Sequence, residues 1–230
     1  MASGTGTYTG LAIDPTSDHL YAANFSTGGI DVYDSTFQAT TVSGGFADPN
    51  AIPGYAPYNI QAINGLLYVE YDQVNSATGR PQAGTGLGYV DIFNSNGVLQ
   101  QRLITGSALN APWGITMAPA GFGGFGGDLL VGNFGNGEIN AFNPVTGAFI
   151  GTITDNDGNP IVNPGLWALD FRTGGAGVNT NALYFTAGIH GEADGLFGSI
   201  TTPEPASLDG ALFGLALVWK VRRVRARRQL

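Results

Sequence analysis

Between Thr7 and Ile200, apolar and polar residues alternate in short runs, and clusters of Gly, Asn, Asp, Ser and Pro bound each run. Alternation with a period of two puts one face of an extended strand in a core and the other outside it. An amphipathic helix would repeat its apolar positions every three to four residues. No such helical period runs through this segment. The runs form a phrase of three parts: an inner strand, a middle strand ending near a small residue, and a third strand opened by Gly. Residues 8–13, 20–25 and 29–34 make the first phrase, and 56–61, 66–69 and 88–94 the second. Residues 111–116, 129–134 and 137–143 make the third, and 165–169, 182–188 and 195–200 the fourth. A fourth strand follows the first three phrases, at 38–43, 98–104 and 148–154. After Ile200 the chain passes directly to Pro203.

Four antiparallel strands per unit, repeated along the chain, form the blade of a β-propeller, because a blade buries its two faces only against its neighbours. The predicted fold is all-β, with residues 1–201 a partial propeller of four visible blades and segments 8–13, 58–63, 113–117 and 166–171 innermost. A β-sandwich would alternate too, but would not repeat one phrase four times. The dipeptides Asn96-Gly97, Asn136-Gly137 and Thr146-Gly147 supply the positive φ that tight hairpins need.

Composition agrees. The chain carries 37 glycines and 12 prolines, and only 11% of its residues are charged, which argues against helices. It has no cysteine, so thiolate nucleophiles, thiolate metal sites and disulfides are excluded. Charge is split. Of nine basic residues, six lie between Lys220 and Arg228, and the other three are Arg80, Arg102 and Arg172. The acidic body would be repelled by phosphates, which argues against nucleic acid as a partner.

The basic cluster closes a tail with three parts. Pro203, Glu204 and Pro205 make a break, residues 211–218 an apolar run, and Arg222, Arg223, Arg225, Arg227 and Arg228 a cationic end. This order resembles the PEP-CTERM sorting signal of Gram-negative bacteria. The resemblance implies processing by an exosortase-type membrane enzyme, a transient stay in the inner membrane, and delivery to the cell envelope or extracellular matrix. Residues 202–230 are then a sorting tail with one C-terminal helix, expected over 208–225, and the arginines are its cytoplasmic stop. Asp209 leaves about ten uncharged residues, and ten helical residues span about 15 Å, half of a ~30 Å hydrocarbon core. The anchor is therefore marginal, which suits transient retention. An export signal is expected upstream, and residues 1–8 have neither the basic nor the apolar region of one, so the chain reads as truncated at its N-terminus.

The body resembles an uncharacterised family of exported bacterial propellers of NHL or gluconolactonase type. The resemblance rests on segments 20–25, 54–61, 109–114, 130–135 and 183–188, and it implies a six-bladed parent. In gluconolactonase-type propellers one Glu, one Asn and one Asp hold a metal in the channel. Asn24, Asn59, Asn133 and Asp170 are the corresponding candidates here, with Ca²⁺ the suitable hard cation. Asn24 and Asn133 occupy the same repeat position, so two readings stand side by side: oxygen ligands on the axis, or caps that bond their own turns. His190 and Glu192 are a base and a carboxylate two residues apart, and also ordinary loop residues. The Asp155–Asn159 turn lacks the Gly and Glu spacing of a calcium loop. Tyr8, Tyr58, Trp113 and Trp167 open the inner strands, where aromatic rings either pack blade on blade or stack on sugars. The functional expectation is an exported binding or scaffold protein with exopolysaccharide as a neighbour. A metal-dependent hydrolase of the lactonase type is the alternative.

Overall fold

A computed structural model describes residues 6–14 and 18–201. The predicted tail helix, the Pro203-Glu204-Pro205 break and the arginine cluster lie outside the described residues. Within them the chain forms four antiparallel sheets. The first holds β1 (Tyr8–Asp14), β2 (His19–Asn24), β3 (Gly29–Tyr33) and β4 (Ala39–Thr40). The second holds β5 (Tyr55–Ile63), β6 (Leu66–Gln73), β7 (Tyr89–Phe93) and β8 (Leu99–Thr105). The third holds β9 (Pro112–Met117), β10 (Leu129–Asn133), β11 (Ile139–Phe142) and β12 (Phe149–Thr152). The fourth has three strands, β13 (Leu166–Phe171), β14 (Ala182–Gly188) and β15 (Asp194–Thr201). In each sheet the strands lie in chain order, so each is one hairpin-connected meander.

The sheets are the blades of a propeller. Their innermost strands pack β1 on β5, β5 on β9 and β9 on β13, and no comparable packing joins β13 to β1 among the described residues. The apolar positions of the alternation fill the three joints. Tyr21, Val32, Ile60, Val69 and Phe93 fill the first, Tyr68, Ile92, Ile115, Val131 and Phe142 the second, and Leu130, Ile139, Leu169, Leu183 and Phe185 the third.

The pattern misplaces some ends. β5 begins three residues before the predicted segment, because β6 runs on to Gln73 and pairs it with Tyr55. β4 is only two residues long. The link between β14 and β15 is also unexpected: it is the helical turn α1 (Ile189–Glu192), and its helix is left-handed where it matters, with φ 55° at His190, 66° at Gly191 and 68° at Glu192. The Asn136-Gly137 turn has the expected positive φ, 76° at Gly137. Among the described residues no helix is long and apolar enough to cross a membrane.

One polar cluster ties the first blade's exit loop to the second blade. Arg102 on β8 donates from Nε to Asp91 at 2.8 Å, from Nη2 to Asp48 at 2.5 Å and from Nη1 to the Asn50 carbonyl at 3.0 Å. Its guanidinium lies 3.9 Å over the Tyr89 ring. Asp48 thus anchors a loop.

Candidate functional site

Strand register shows what each blade places where its inner strands meet the next blade. Gly10 pairs with Ala23 in the first blade and Gly114 with Gly132 in the third. In the fourth, the Ala168 amide meets the Thr186 hydroxyl. These inner positions are small because the inner strands of neighbouring blades nearly touch there. A Cβ on Gly10 would fall on Asn59 Oδ1 and within 2.7 Å of the Asn59 Cα; one on Gly114 would fall on the Trp167 carbonyl. The next residues outward are Asn24 in the first blade and Asn133 in the third, followed by Phe25 and Phe134.

The second blade breaks this rule at three places. The inner position is Asn59, and its partner on β6 is Glu70. Where the first and third blades have Asn24 and Asn133, it has Tyr71. Where they have Phe25 and Phe134, it has Asp72. Glu70 and Asp72 are fully buried and point to one face of β6, since residues two apart on a strand share a face. Asn59 Nδ2 donates to Glu70 Oε2 at 3.0 Å and to the Trp113 carbonyl at 2.5 Å. Asp72 Oδ1 accepts the Gln73 amide at 2.7 Å. Glu70 Oε1 and Asp72 Oδ2 are buried and have no protein partner. Burial pushes the Glu70 carboxyl up to about 8, against a smaller downward pull from Asn59. It pushes Asp72 up to about 7, with the Gln73 and Gln82 amides pulling the other way. Near neutral pH, then, this blade holds two buried carboxyls poised between their charged and uncharged forms.

An aromatic cluster lies beside them. Tyr58 lies 5.3 Å from Phe25, 6.1 Å from Phe134 and 6.0 Å from Trp167, measured between ring centroids. Trp167 meets Trp113 edge-on at 5.2 Å and Phe134 at 4.6 Å. The Trp113 indole N–H donates to the Thr9 carbonyl at 2.9 Å, across from the third blade to the first. Burial, with smaller pushes from Asp72 and Glu192, holds the Tyr58 hydroxyl far above the usual tyrosine range.

The four sequence-derived candidates stand one to a blade, each in its own surroundings. Asn24 Nδ2 donates to Asp31 at 3.0 Å, and its Oδ1 accepts from Ser26 and Thr27. Asn133 Oδ1 accepts the Asn110 amide at 3.0 Å, and its Nδ2 donates to the Ala108 carbonyl at 2.8 Å. Asp170 is exposed on β13. Only Asn59 meets buried carboxylates, Glu70 directly and Asp72 one pleat away. Sequence reading missed both acids. The signal was available: they depart from a repeat whose other copies carry small or aromatic residues at those positions.

Trp167 also lines a cleft of about 540 Å³ with Thr186, Glu192, Asp194 and Phe197. His190 Nδ1 lies 2.9 Å from Asp194 Oδ2, and both side chains are well exposed.

No protein-family model matches the chain. An uncharacterized protein of Acanthamoeba polyphaga mimivirus is 36% identical over 198 residues, 84% of this chain and 48% of that protein. A second protein of the same virus is 33% identical, covering 84% of this chain and 51% of that protein. The chain spans about half the length of these curated relatives. Among solved structures, a gluconolactonase from Xanthomonas campestris superposes with a TM-score of 0.55 at 18% identity, covering 90% of this chain and 66% of that one. What the two share is the β-propeller fold.

Proposed function

We propose that the chain belongs to an exported, surface- or matrix-associated propeller that holds a ligand without converting it, and that its tail is a PEP-CTERM sorting signal. The aromatic cluster carries the binding half of this reading. Tyr58, Phe25, Phe134, Trp113 and Trp167 gather rings from all four blades, an apolar surface of the kind that ligand sites use, and Asn24 and Asn133 are spent on fixing loops. The order of the tail, with Pro203, Glu204 and Pro205 before an apolar run and Arg222, Arg223, Arg225, Arg227 and Arg228 after it, supports the sorting half. An exosortase-type enzyme and, transiently, the inner membrane are its partners, and exopolysaccharide is the expected neighbour. The test is to express the chain behind an export signal, with the five arginines intact or changed to Ser. The intact tail should deliver the protein to the envelope or matrix fraction, and the Ser variant should be mislocalised. Equal delivery of both would overturn the sorting reading.

One observation favours a second reading, a metal-dependent hydrolase of the lactonase type. Glu70 and Asp72 bring carboxylate oxygens of the kind that hard divalent cations take, and one oxygen of each is buried without a protein partner. These residues would hold the ion, which would polarise a substrate carbonyl. Calorimetric titration with Ca²⁺ separates the readings: saturable binding lost in Glu70→Gln supports the hydrolase, and no heat beyond dilution counts against it.

A further inference from the structure

We propose that Asn64 is a spontaneous modification site: the fold protects two of the chain's Asn-Gly turns and leaves this one open to deamidation and isomerisation to isoaspartate. The chain has three such dipeptides, Asn64-Gly65, Asn96-Gly97 and Asn136-Gly137. The chemistry is the same in each. The glycine amide nitrogen attacks the asparagine Cγ, and the side-chain nitrogen leaves as ammonia, taking the amide proton with it. Water then opens the succinimide ring. Opening at the side-chain carbonyl gives Asp. Opening at the main-chain carbonyl gives isoaspartate, in which the chain runs through Cβ and Cγ. Glycine suits the step because it puts no Cβ in the way of the ring. Sequence therefore does not separate the three turns, and their surroundings do.

Two of the turns are held from both sides. The Gly97 amide donates to the Asn94 carbonyl at 2.9 Å. The loop after β4 closes over this turn, with the Gly44 amide on the Asn96 carbonyl at 2.7 Å and the Phe46 amide on the Gly97 carbonyl at 3.0 Å. The Gly137 amide donates to the Asn133 carbonyl at 2.9 Å, and the Asn163 amide donates to the Gly137 carbonyl at 2.8 Å. The Asn136 side chain is engaged through both its atoms. Its Nδ2 donates to Glu138 Oε2 at 2.8 Å, and its Oδ1 accepts the Glu138 amide at 3.3 Å. A Cβ on Gly97 would press on Phe46 and Val42, and one on Gly137 on Asn163. In both turns the attacking nitrogen is occupied and the backbone has no room to swing.

Asn64-Gly65 is the tip of the β5–β6 hairpin and differs on each count. Both residues are exposed. Both are left-handed, with φ 51° and 79°, as a two-residue hairpin loop requires. Among the described residues, the Gly65 amide and the Asn64 side chain have no hydrogen-bond partner. A Cβ on Gly65 would meet nothing within 4 Å. Bringing the nitrogen onto Cγ means leaving the left-handed form, and here that disturbs only the terminal Ile63–Leu66 pair. Openings of that size at an exposed tip are among the cheapest a fold makes. The hairpin belongs to the second blade, which packs against a neighbour on each side, so the tip is not part of an open blade face. The product matters because the tip sets the register of β5 on β6, and Asn59 stands on Glu70 along the same ladder. Isoaspartate adds a backbone carbon at the tip and so loosens the hairpin that carries this pair.

The test ages the full chain at mildly alkaline pH, folded and in urea. Chymotryptic mapping with electron-transfer fragmentation follows each asparagine and separates Asp from isoaspartate. In the folded chain Asn64 should convert about tenfold faster than Asn96 and Asn136, and in urea the three rates should converge. Labelling by an isoaspartyl methyltransferase should grow with age and be largely lost in Asn64→Gly, which keeps a left-handed turn without the amide. The thermal midpoint should fall with ageing in the unmodified sequence and hold in Asn64→Gly. Folded-state rates that are equal at the three sites, or an Asn64 that stays intact while folded, overturn the proposal. An equal fall of the midpoint in both proteins overturns the link to the hairpin. The comparison of folded and urea rates needs no variant, so it decides even if Asn64→Gly does not fold.

Discussion

At Glu70 the chain puts a carboxyl where the equivalent positions of the first and third blades hold Ala23 and Gly132, and the consequence is a pH dependence of known sign. Ordinary Glu and Asp titrate near 4; in the fold Glu70 is raised to about 8 and Asp72 to about 7. The folded state therefore binds these protons more tightly than the unfolded chain. Their contribution is fully present below about pH 4 and is lost as pH rises through 7 and 8. Thermal midpoints measured from pH 5 to pH 9 should fall steadily. In a Glu70→Gln, Asp72→Asn double variant the slope should flatten, and at pH 9 the variant should be more stable by a few kcal/mol, because a neutral amide removes the cost of a buried charge. A wild-type profile no steeper than the variant's would show that these two groups do not titrate in the fold. Residues of this kind were the least legible part of the sequence. Asn24 and Asn133 stood out because they repeat. Glu70 and Asp72 stay hidden unless each blade is compared with its siblings for what it fails to repeat, and that comparison needs the bulge between Pro57 and Asn59, which offsets the register.

Elements were read more faithfully than residues, because a strand's alternation is written along its whole length. The four phrases became four sheets, and inner, middle and third strands fell where the pattern put them. The ends moved where pairing with a neighbour overruled local pattern, as at Tyr55 and at the short β4. The left-handed turn at His190 had no signature, since only Gly191 among its residues favours positive φ. Inter-element contacts give two predictions. Gly10 sits where β1 meets β5, and a Cβ there would press on the Asn59 backbone. Gly10→Ala should cost about 1–3 kcal/mol as an overpacked contact, read as a lower urea midpoint with an unchanged slope. Arg102 holds two loop and strand acids, Asp91 fully buried and Asp48 nearly so. Burial raises Asp91, and the hydrogen bond and charge of Arg102 pull it back down. Arg102→Met should strand both carboxylates and cost about 3 kcal/mol. Adding Asp91→Asn should recover part of that loss, and full additivity of the two changes would mean the pair is not coupled.

At the scale of the whole molecule, the arrangement of blades leaves two kinds of surface without a partner among the described residues. On β1, Leu11 and Ile13 are 61% and 64% exposed, on the side of the first blade away from the second. β15 is the outer strand of a sheet one strand shorter than its siblings. An apolar sheet face and an unpaired strand edge both recruit other chains. The two surfaces lie on different blades, so contact between them is head to tail and need not close on itself. The chain as described should therefore self-associate in a concentration-dependent way, without a single sharp dimer. Light scattering behind size exclusion, run from low to high micromolar protein, measures this directly. Leu11→Lys with Ile13→Lys should shift the distribution towards monomer, because two charges on that face would have to be buried in any contact. A charge placed at the β15 edge by Phe197→Lys should act on the same distribution independently. A monodisperse monomer at every concentration would mean that neither surface recruits a partner, and the exposed leucine and isoleucine would then be ordinary scattered surface residues.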